Sequence, residues 1–368
     1  MTQNLILLPD SPYSDWIIER SEKVAVGVNR YVCYSNSFKY NSNPKILRKD
    51  YLLSLNKRDA NSYQKVIIHY HNELSGFFLE KNNIPKNKVI WVLWSGDLYN
   101  TPFYNRAIYK PLTNQFIGSN NLYKLQGLKI LKEILKYFLK MPGYFDYKRS
   151  FQRIGTIASF FEKDVENAAL IFNKDYKRII FAILSFEEMI RGLPEKHYIK
   201  LGEKILLGHA GVPENNHLDL FQRILSLNSS RTLLCPLSYG ESSYIQKVVE
   251  KGEELFGYRI EFVRDFMPRD EYYLKLSEVK FAIFDTLIQQ AFGNILGLLY
   301  LGVKVFLNEE NSIYYQLKKM GLLIFSINNL SSEIEIELTI DQINTNREIL
   351  IEYFSEEKIN DYYKLLLN

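Results

Sequence analysis

The sequence predicts an α/β fold built as two successive units, each a parallel β-sheet covered by helices. Three observations carry this. Short apolar runs alternate with amphipathic stretches along the chain, the rhythm of βαβ units. A polar, helix-breaking stretch at residues 191–204, RGLPEKHYIKLGEK, interrupts that rhythm, which then restarts. At 368 residues the chain is too long for one small core and suits two domains of ordinary size.

In the first unit NLILL (4–8), RYVCYS (30–35), KVIIHYH (65–71), VIWVLW (89–94), IGTIAS (154–159) and RIIFAIL (178–184) read as strands, with FFEKDVENAALIF (160–172) as a helix between the last two. In the second, ILLGHAG (205–211), RTLLCPLSYG (231–240), YRIEFVRDFMP (258–268), VKFAIFD (279–285), KVFLNEEN (304–311) and LLIFSI (322–327) repeat the pattern. The expected domains are residues 1–192 and 203–340, with a helix at about 341–368 that packs back on the first. Ligands of open α/β sheets settle beyond the C-terminal ends of the strands, so the residues following these runs are the site candidates.

Composition bounds the class. Hydrophobic residues at 46% and charged residues at 24% are those of a folded globular protein and exclude disordered and collagen-like chains. The 27 tyrosines suit a carbohydrate-stacking surface, and equally follow from a general excess of Tyr, Lys, Ile and Asn. Cys33 and Cys235 form no CxxC pair, so neither a disulfide framework nor a zinc site is encoded, and a reducing, cytoplasmic compartment fits. The N-terminal MTQNLILLPDSP lacks a basic start and a cleavage site, and no window approaches the roughly 18 apolar residues of a membrane span. The net charge of +4 conceals an asymmetry: residues 101–153 hold ten Lys/Arg against two acids. Such a surplus attracts a phosphorylated ligand or an anionic membrane surface.

Within that segment, NLYKLQGLKILKEILKYFLK (121–140) places its leucines, Ile134 and Phe138 on one helical stripe, with Lys124, Lys129, Lys132 and Lys136 largely outside it. Two readings share this pattern: a helix lying on an anionic bilayer, and a helix packed on the sheet through its apolar stripe with solvated lysines.

Four of the five histidines sit at or just after strand ends: His69, His71, His209 and His217. No HExxH, DxD or Walker loop appears, so a metal-dependent or P-loop mechanism is disfavoured, and no cofactor is expected. In LLGHAGVPENNHLDL a strand ends in Gly208 and a helix begins near Asn216 and His217; backbone N–H groups at such a helix start bind phosphate. FDTLIQQAFGNILGLLYLG repeats the device, Gly293 permitting close backbone approach and Asn294 able to cap. Together the two loops suggest a diphosphate site. Neither half carries GxGxxG, which disfavours a nucleotide-dependent oxidoreductase.

VIWVLWSGDLYN, ILLGHAGVPENNHLDLF, CPLSYGESSYIQKV and IQQAFGNILGLLYLGVKVFLNEENSIY, in that order, resemble the bacterial TDP-N-acetylfucosamine:lipid II N-acetylfucosaminyltransferase family of enterobacterial common antigen synthesis. The resemblance implies a GT-B-like fold of two Rossmann-like α/β domains facing a central cleft. It also implies a donor set of Gly208, His209, Asn216, His217, Tyr239, Gln290, Gly293, Asn294, Glu310 and Asn311, and an acceptor site in the N-terminal domain. Ser95 displaces the glycine that follows Trp in the family, and His209-Ala210 replaces its Asn-Ser.

The small turn after Trp94 is expected to project Asp97 from the end of a buried strand, where it accepts the proton of an acceptor hydroxyl or serves only as a helix N-cap. Asp97 and His69 are the catalytic candidates. The activity the resemblance implies is metal-independent transfer of a deoxy-acetamido sugar from a nucleoside diphosphate, TDP in that family, to a lipid-linked saccharide in cell-surface glycan synthesis. The protein would then lie on the inner face of the cytoplasmic membrane, with an anionic surface but no nucleic acid as partner. An O-antigen or capsule enzyme with another donor sugar, and a non-catalytic membrane-surface binder, are the alternatives.

Overall fold

The computed structural model describes residues 3–104, 106–120, 126–191, 202–227 and 229–368. It contains two all-parallel sheets. The first is formed by β1 (Asn4–Leu8), β2 (Asn29–Cys33), β3 (Ile46–Leu47), β4 (Val66–His69), β5 (Val89–Val92), β6 (Thr156–Ala158) and β7 (Lys177–Ile179), in the order β3-β2-β1-β4-β5-β6-β7. The second is formed by β8 (Lys204–Leu207), β9 (Leu233–Pro236), β10 (Ile260–Val263), β11 (Val279–Phe284), β12 (Lys304–Leu307) and β13 (Phe325–Ser326), in the order β10-β9-β8-β11-β12-β13. Both orders are doubly wound, and each reverses at one point: between β1 and β4, and between β8 and β11.

The central strands are buried on both faces, which is why they read as uninterrupted apolar runs. Leu5, Ile6 and Leu7 of β1 pair with Val66, Ile67 and Ile68 of β4, and Ile68 pairs with Trp91 of β5. All of these are buried. Phe151 stacks on Phe172 with ring centroids 3.7 Å apart. In the second sheet Ile205, Leu207, Phe281, Ile283 and Phe306 form one core with Phe221 and Tyr244 of the covering helices. Helix Phe292–Leu301 is apolar nearly all round and is accordingly buried, with Ile295, Leu296, Leu298, Leu299 and Leu301 all inside; Gly302 closes it at φ +97°, its N–H and that of Val303 returning to the last carbonyls.

The chain divides into two compact units. The first comprises Met1–Asn105, Leu122–Ser185 and Glu356–Asn368; the second comprises Arg106–Asn121 and Phe186–Ser355. This differs from the expected ranges in three places, the first being the boundary, which falls after Ser185 and not at 192. Residues 106–121 belong with the second sheet, because the Asp219 carboxylate accepts from Leu112 N, Thr113 N and Thr113 Oγ1 at 2.8–2.9 Å. That acid satisfies the orphan N–H groups of helix Pro111–Asn120. The anticipated C-terminal helix is two helices. Ile340–Phe354, opened by a Thr339–Gln342 capping box, stays with the second unit, where Arg347 Nε donates to Tyr300 O at 2.8 Å. Glu356–Leu367 returns to the first, where Arg20 Nη1 donates to Asn360 Oδ1 at 2.9 Å. Among the described residues no helix is long and apolar enough to cross a membrane.

Candidate functional site

At the C-terminal edge of the first sheet, the chain leaves β4 and β5 through two strained turns. Tyr70 has φ +63° and Ser95 has φ +79°, conformations that side chains other than glycine rarely adopt and that concentrate at functional sites. Asp97 ties the turns together. Its Oδ2 accepts from His71 N at 3.0 Å and Trp91 Nε1 at 2.5 Å, and its Oδ1 accepts from Trp94 N at 2.9 Å. The carboxylate is 1% exposed, and burial pushes its pKa up to about 6 against the pull of the three donors. The expectation of a projecting aspartate is thus overturned: Asp97 points back beneath its own turn and clasps the ends of two strands.

His69 is joined to this clasp through Trp94, whose Nε1 donates to His69 Nδ1 at 3.4 Å. That bond leaves the ring proton on Nε2, which is buried and finds no partner among the described residues. Burial lowers the His69 pKa to about 3, so the ring is a poor proton acceptor and a good hydrogen-bond donor. His71 is fully buried between Ser75 Oγ (2.8 Å) and Ser150 Oγ (2.9 Å) and is structural. Tyr13, 43% exposed, meets Trp94 edge-on at 5.9 Å, and Tyr70 meets it at 6.4 Å. An aromatic platform therefore lies at the reversal point of the first sheet.

The corresponding edge of the second sheet is polar. Gly208 has φ +68°, and a Cβ there would stand 2.6 Å from Asn215 Oδ1 and 2.9 Å from His217 Nε2, so this glycine serves the loop's own closure. Asn215 Oδ1 accepts from His209 N at 3.1 Å and meets His209 Nδ1 at 2.9 Å, which fixes the tautomer and leaves Nε2 as an acceptor. Burial lowers the His209 pKa to about 4, so the ring is neutral. Gly211 N donates to Tyr239 O at 2.8 Å, joining this loop to the one after β9, where the Tyr239 side chain is 55% exposed.

Two expected donor ligands are closed off. His217 is fully buried, its N–H is taken by Tyr244 Oη at 3.0 Å, and burial lowers its pKa to about 3. Asn216, equally buried, accepts from Lys110 N at 2.8 Å and donates to Asp285 O at 2.9 Å. The helix start at His217 is thus sealed by the protein's own groups. Asn311 is sealed as well: its Oδ1 caps Ile313 N, and its Nδ2 lies within 3.1 Å of Thr286 O, Thr286 Oγ1 and Ile288 O.

The other helix start is open. A Cβ at Gly293 would meet nothing within 4 Å, so the fold itself does not require glycine there. The first-turn N–H groups of helix Phe292–Leu301 lack intrahelical partners. Asn294 is half-buried, with Nδ2 3.4 Å from Tyr272 Oη. Gln290 is half-buried, and its Oε1 is buried with no partner among the described residues; Glu310 is exposed. Of the expected set, Tyr239 and Glu310 are thus exposed and Gln290, Gly293 and Asn294 half-buried, while His209 is buried but for 9% of its surface.

The sequence reading missed Asp285. It follows β11, is 1% exposed, accepts from Asn308 Nδ2 at 2.8 Å and pairs with Lys110 Nζ at 2.6 Å. An acid directly after an apolar strand was its signal, the same that marked Asp97. Among the described residues no group of three or more His, Cys, Asp or Glu side chains could hold a metal ion.

Of the lysines expected at a membrane, Lys136 is engaged by Glu133 at 2.6 Å and Glu73 at 3.2 Å, which corrects its assignment to a free surface. Lys132 is exposed; Lys124 lies outside the described residues, as does the side chain of Lys129.

Residues 187–368 match the model of the 4-alpha-L-fucosyltransferase family, glycosyl transferase group 56. The match covers nearly all of the second unit's main segment and the helix returning to the first. No curated protein matches the chain by sequence. Among solved structures, a Thermosynechococcus elongatus sucrose-phosphate synthase aligns with TM-score 0.62 and 9% identity, over 100% of this chain and 98% of the other. An Anabaena protein solved in complex with UDP and glucose aligns at 0.60 and 10%, over 100% and 99%. A Rickettsia africae glycosyltransferase aligns at 0.58 and 14%, over 100% and 99%. The fold is GT-B: two Rossmann-like α/β units.

Proposed function

We propose that this chain is a glycosyltransferase that takes its sugar from a nucleoside diphosphate held by the second unit. The observation that carries the reading is the family match over residues 187–368, which falls on the sheet edge bearing an open helix start and an acceptor nitrogen, His209 Nε2. As the glycosidic bond breaks, negative charge gathers on the leaving diphosphate. The N–H groups of Gly293 and Asn294 at the open start of helix Phe292–Leu301 would stabilise that charge. His209 Nε2 would accept from a donor hydroxyl, and Tyr239 offers a face for the base or sugar.

The first unit would receive the acceptor saccharide on the Tyr13–Trp94 platform, with the otherwise unpartnered His69 Nε2–H available to a sugar oxygen. Donation from this proton and the clasp role of Asp97 take the place of the base expected from the sequence. The earlier resemblance supports a TDP-linked N-acetylfucosamine-like donor and a lipid-linked acceptor, and hence a protein working at the inner face of the cytoplasmic membrane.

Thermal shift with TDP, UDP and GDP, with and without added divalent metal, tests the reading. A nucleotide that binds only the folded protein, present at a hundredfold over its Kd, adds about 2.7 kcal/mol. TDP should stabilise most and without metal, and Gly293→Val should remove the effect while leaving the unliganded melting temperature near its original value. The absence of any shift with all three nucleotides would refute the donor site, and a larger shift with UDP or GDP would redirect the donor to another surface-glycan sugar.

A further inference from the structure

The last two turns of helix Gln126–Phe138 are docked inside out. At 3.6 residues per turn, Glu133, Lys136 and Tyr137 share one side, and Ile134, Leu135, Phe138 and Leu139 share the opposite side. The polar side faces the protein. Glu133 Oε2 accepts from Tyr144 N at 2.8 Å and so caps helix Tyr144–Ser150, Lys136 reaches Glu73 at 3.2 Å, and Tyr137 packs edge-on against Phe145 at 5.8 Å. Glu133 and Lys136 side chains are only 21% and 23% exposed.

The apolar side faces solvent: Leu135 is 58% exposed, Phe138 75% and Leu139 59%, followed by Met141 at 49%. The arrangement is fixed at its end. Lys140 adopts φ +53°, its N–H returning to Tyr137 O at 3.1 Å and that of Met141 to Lys136 O at 2.9 Å, a Schellman closure that holds Phe138, Leu139 and Met141 at the tip. Neither reading of this helix drawn from its periodicity included an inverted docking on the protein.

We propose that Leu135, Phe138, Leu139 and Met141 form a wedge that inserts into the interfacial region of an anionic lipid bilayer. Charge selects this occupant. Lys132 flanks the apolar side, Lys140 follows it, and Lys148 is exposed on the adjoining helix Tyr144–Ser150. Exposed aromatic and aliphatic side chains ringed by lysine are the combination that buries apolar surface below anionic headgroups. The inference rests on the lipid-linked acceptor reading for its purpose, since a saccharide carried on lipid is reached only at the bilayer surface.

The test is co-sedimentation of the full chain with vesicles of phosphatidylglycerol and phosphatidylethanolamine, and with phosphatidylcholine vesicles, without nucleotide or acceptor. Wild type should bind the anionic vesicles, and the Leu135→Ser, Phe138→Ser, Leu139→Ser combination should lower the partition at least about tenfold, because each such side chain contributes about that factor when buried. Both native cysteines are buried, so a Phe138→Cys variant takes one environment-sensitive fluorophore, whose emission should shift to the blue on anionic vesicles. Equal binding of wild type and triple variant, or an unshifted fluorophore, would overturn the proposal. So would a concentration-dependent dimer in sedimentation velocity that the triple variant abolishes, since the face would then belong to a second copy. Nucleotide binding measured without vesicles reports separately on the donor reading.

Discussion

Acidification from pH 7 to 5.5 should destabilise both units well before ordinary carboxylates titrate. His69 and His71 in the first unit, and His209 and His217 in the second, are held neutral by burial, with pKa values of about 3, 3, 4 and 3. In the unfolded chain each returns to about 6.5. A depressed histidine pKa contributes stability that is present above the unfolded value and is lost as pH falls below it. Between pH 7 and 5.5 linkage gives a loss of about 1.3 kcal/mol per histidine. Asp97 acts in the opposite direction: its pKa, raised to about 6, makes protonation favour the fold as pH falls, returning about 0.8 kcal/mol over the same interval. The first unit should therefore lose about 1.8 kcal/mol and the second about 2.6 kcal/mol. Trp16, Trp91 and Trp94 all lie in the first unit, so tryptophan fluorescence in urea reads that unit, while far-UV circular dichroism reads both. With a urea slope of about 2 kcal/mol/M, the fluorescence midpoint should fall by about 0.9 M and the circular dichroism midpoint by more. A fluorescence midpoint that stays within about 0.2 M across the interval, or rises, would show that these rings are not buried neutral.

Asp97→Asn leaves at least one of three buried N–H groups facing an amide donor, and should cost about 2 kcal/mol in urea unfolding. Turnover per folded molecule should stay within about twofold, whereas a loss of about 10²-fold would make Asp97 the base after all. Lys110→Met strands the buried Asp285 carboxylate and should destabilise the second unit by about 3 kcal/mol. Adding Asp285→Asn should recover most of that loss, and a double variant weaker than the single would refute the pairing.

The strands were legible in the sequence because parallel strands buried on both faces leave uninterrupted apolar runs. Only β3, two residues long, gave too little pattern to read. The site was legible in position and less so in partners. WSGD and IFDT both announce an acid after an apolar strand, yet Asp97 is satisfied by its own turn while Asp285 waits for a lysine 175 residues earlier in the chain. No local pattern carries that pairing. His217 and Gly293 show the same limit from the other side. Both sit where a helix begins, and only the tertiary packing of Tyr244 over one and open space over the other separates a sealed helix start from an available one. Periodicity likewise defined the apolar stripe of helix Gln126–Phe138 but not the direction it faces, which Glu133 and Lys136 decide through residues far outside the helix.

The interleaving of the two units has a consequence for how such a chain can be made and recombined. The segments alternate four times between units, at residues 105/106, 121/122, 185/186 and 355/356. During synthesis the helix Pro111–Asn120 is made long before Asp219, which must cap it, and the first sheet is complete by Ile179 while the covering helix Glu356–Leu367 is still to come. The first unit therefore cannot finish folding on the ribosome before the whole of the second has been translated, and the second must wait until the first sheet has already been made. Exchange of residues 186–355 alone between relatives would carry Asp219 and Asp285 away from Lys110 and Thr113. A viable chimera must therefore move residues 106–121 in the same event, so the second unit is inherited as a pair of separated blocks.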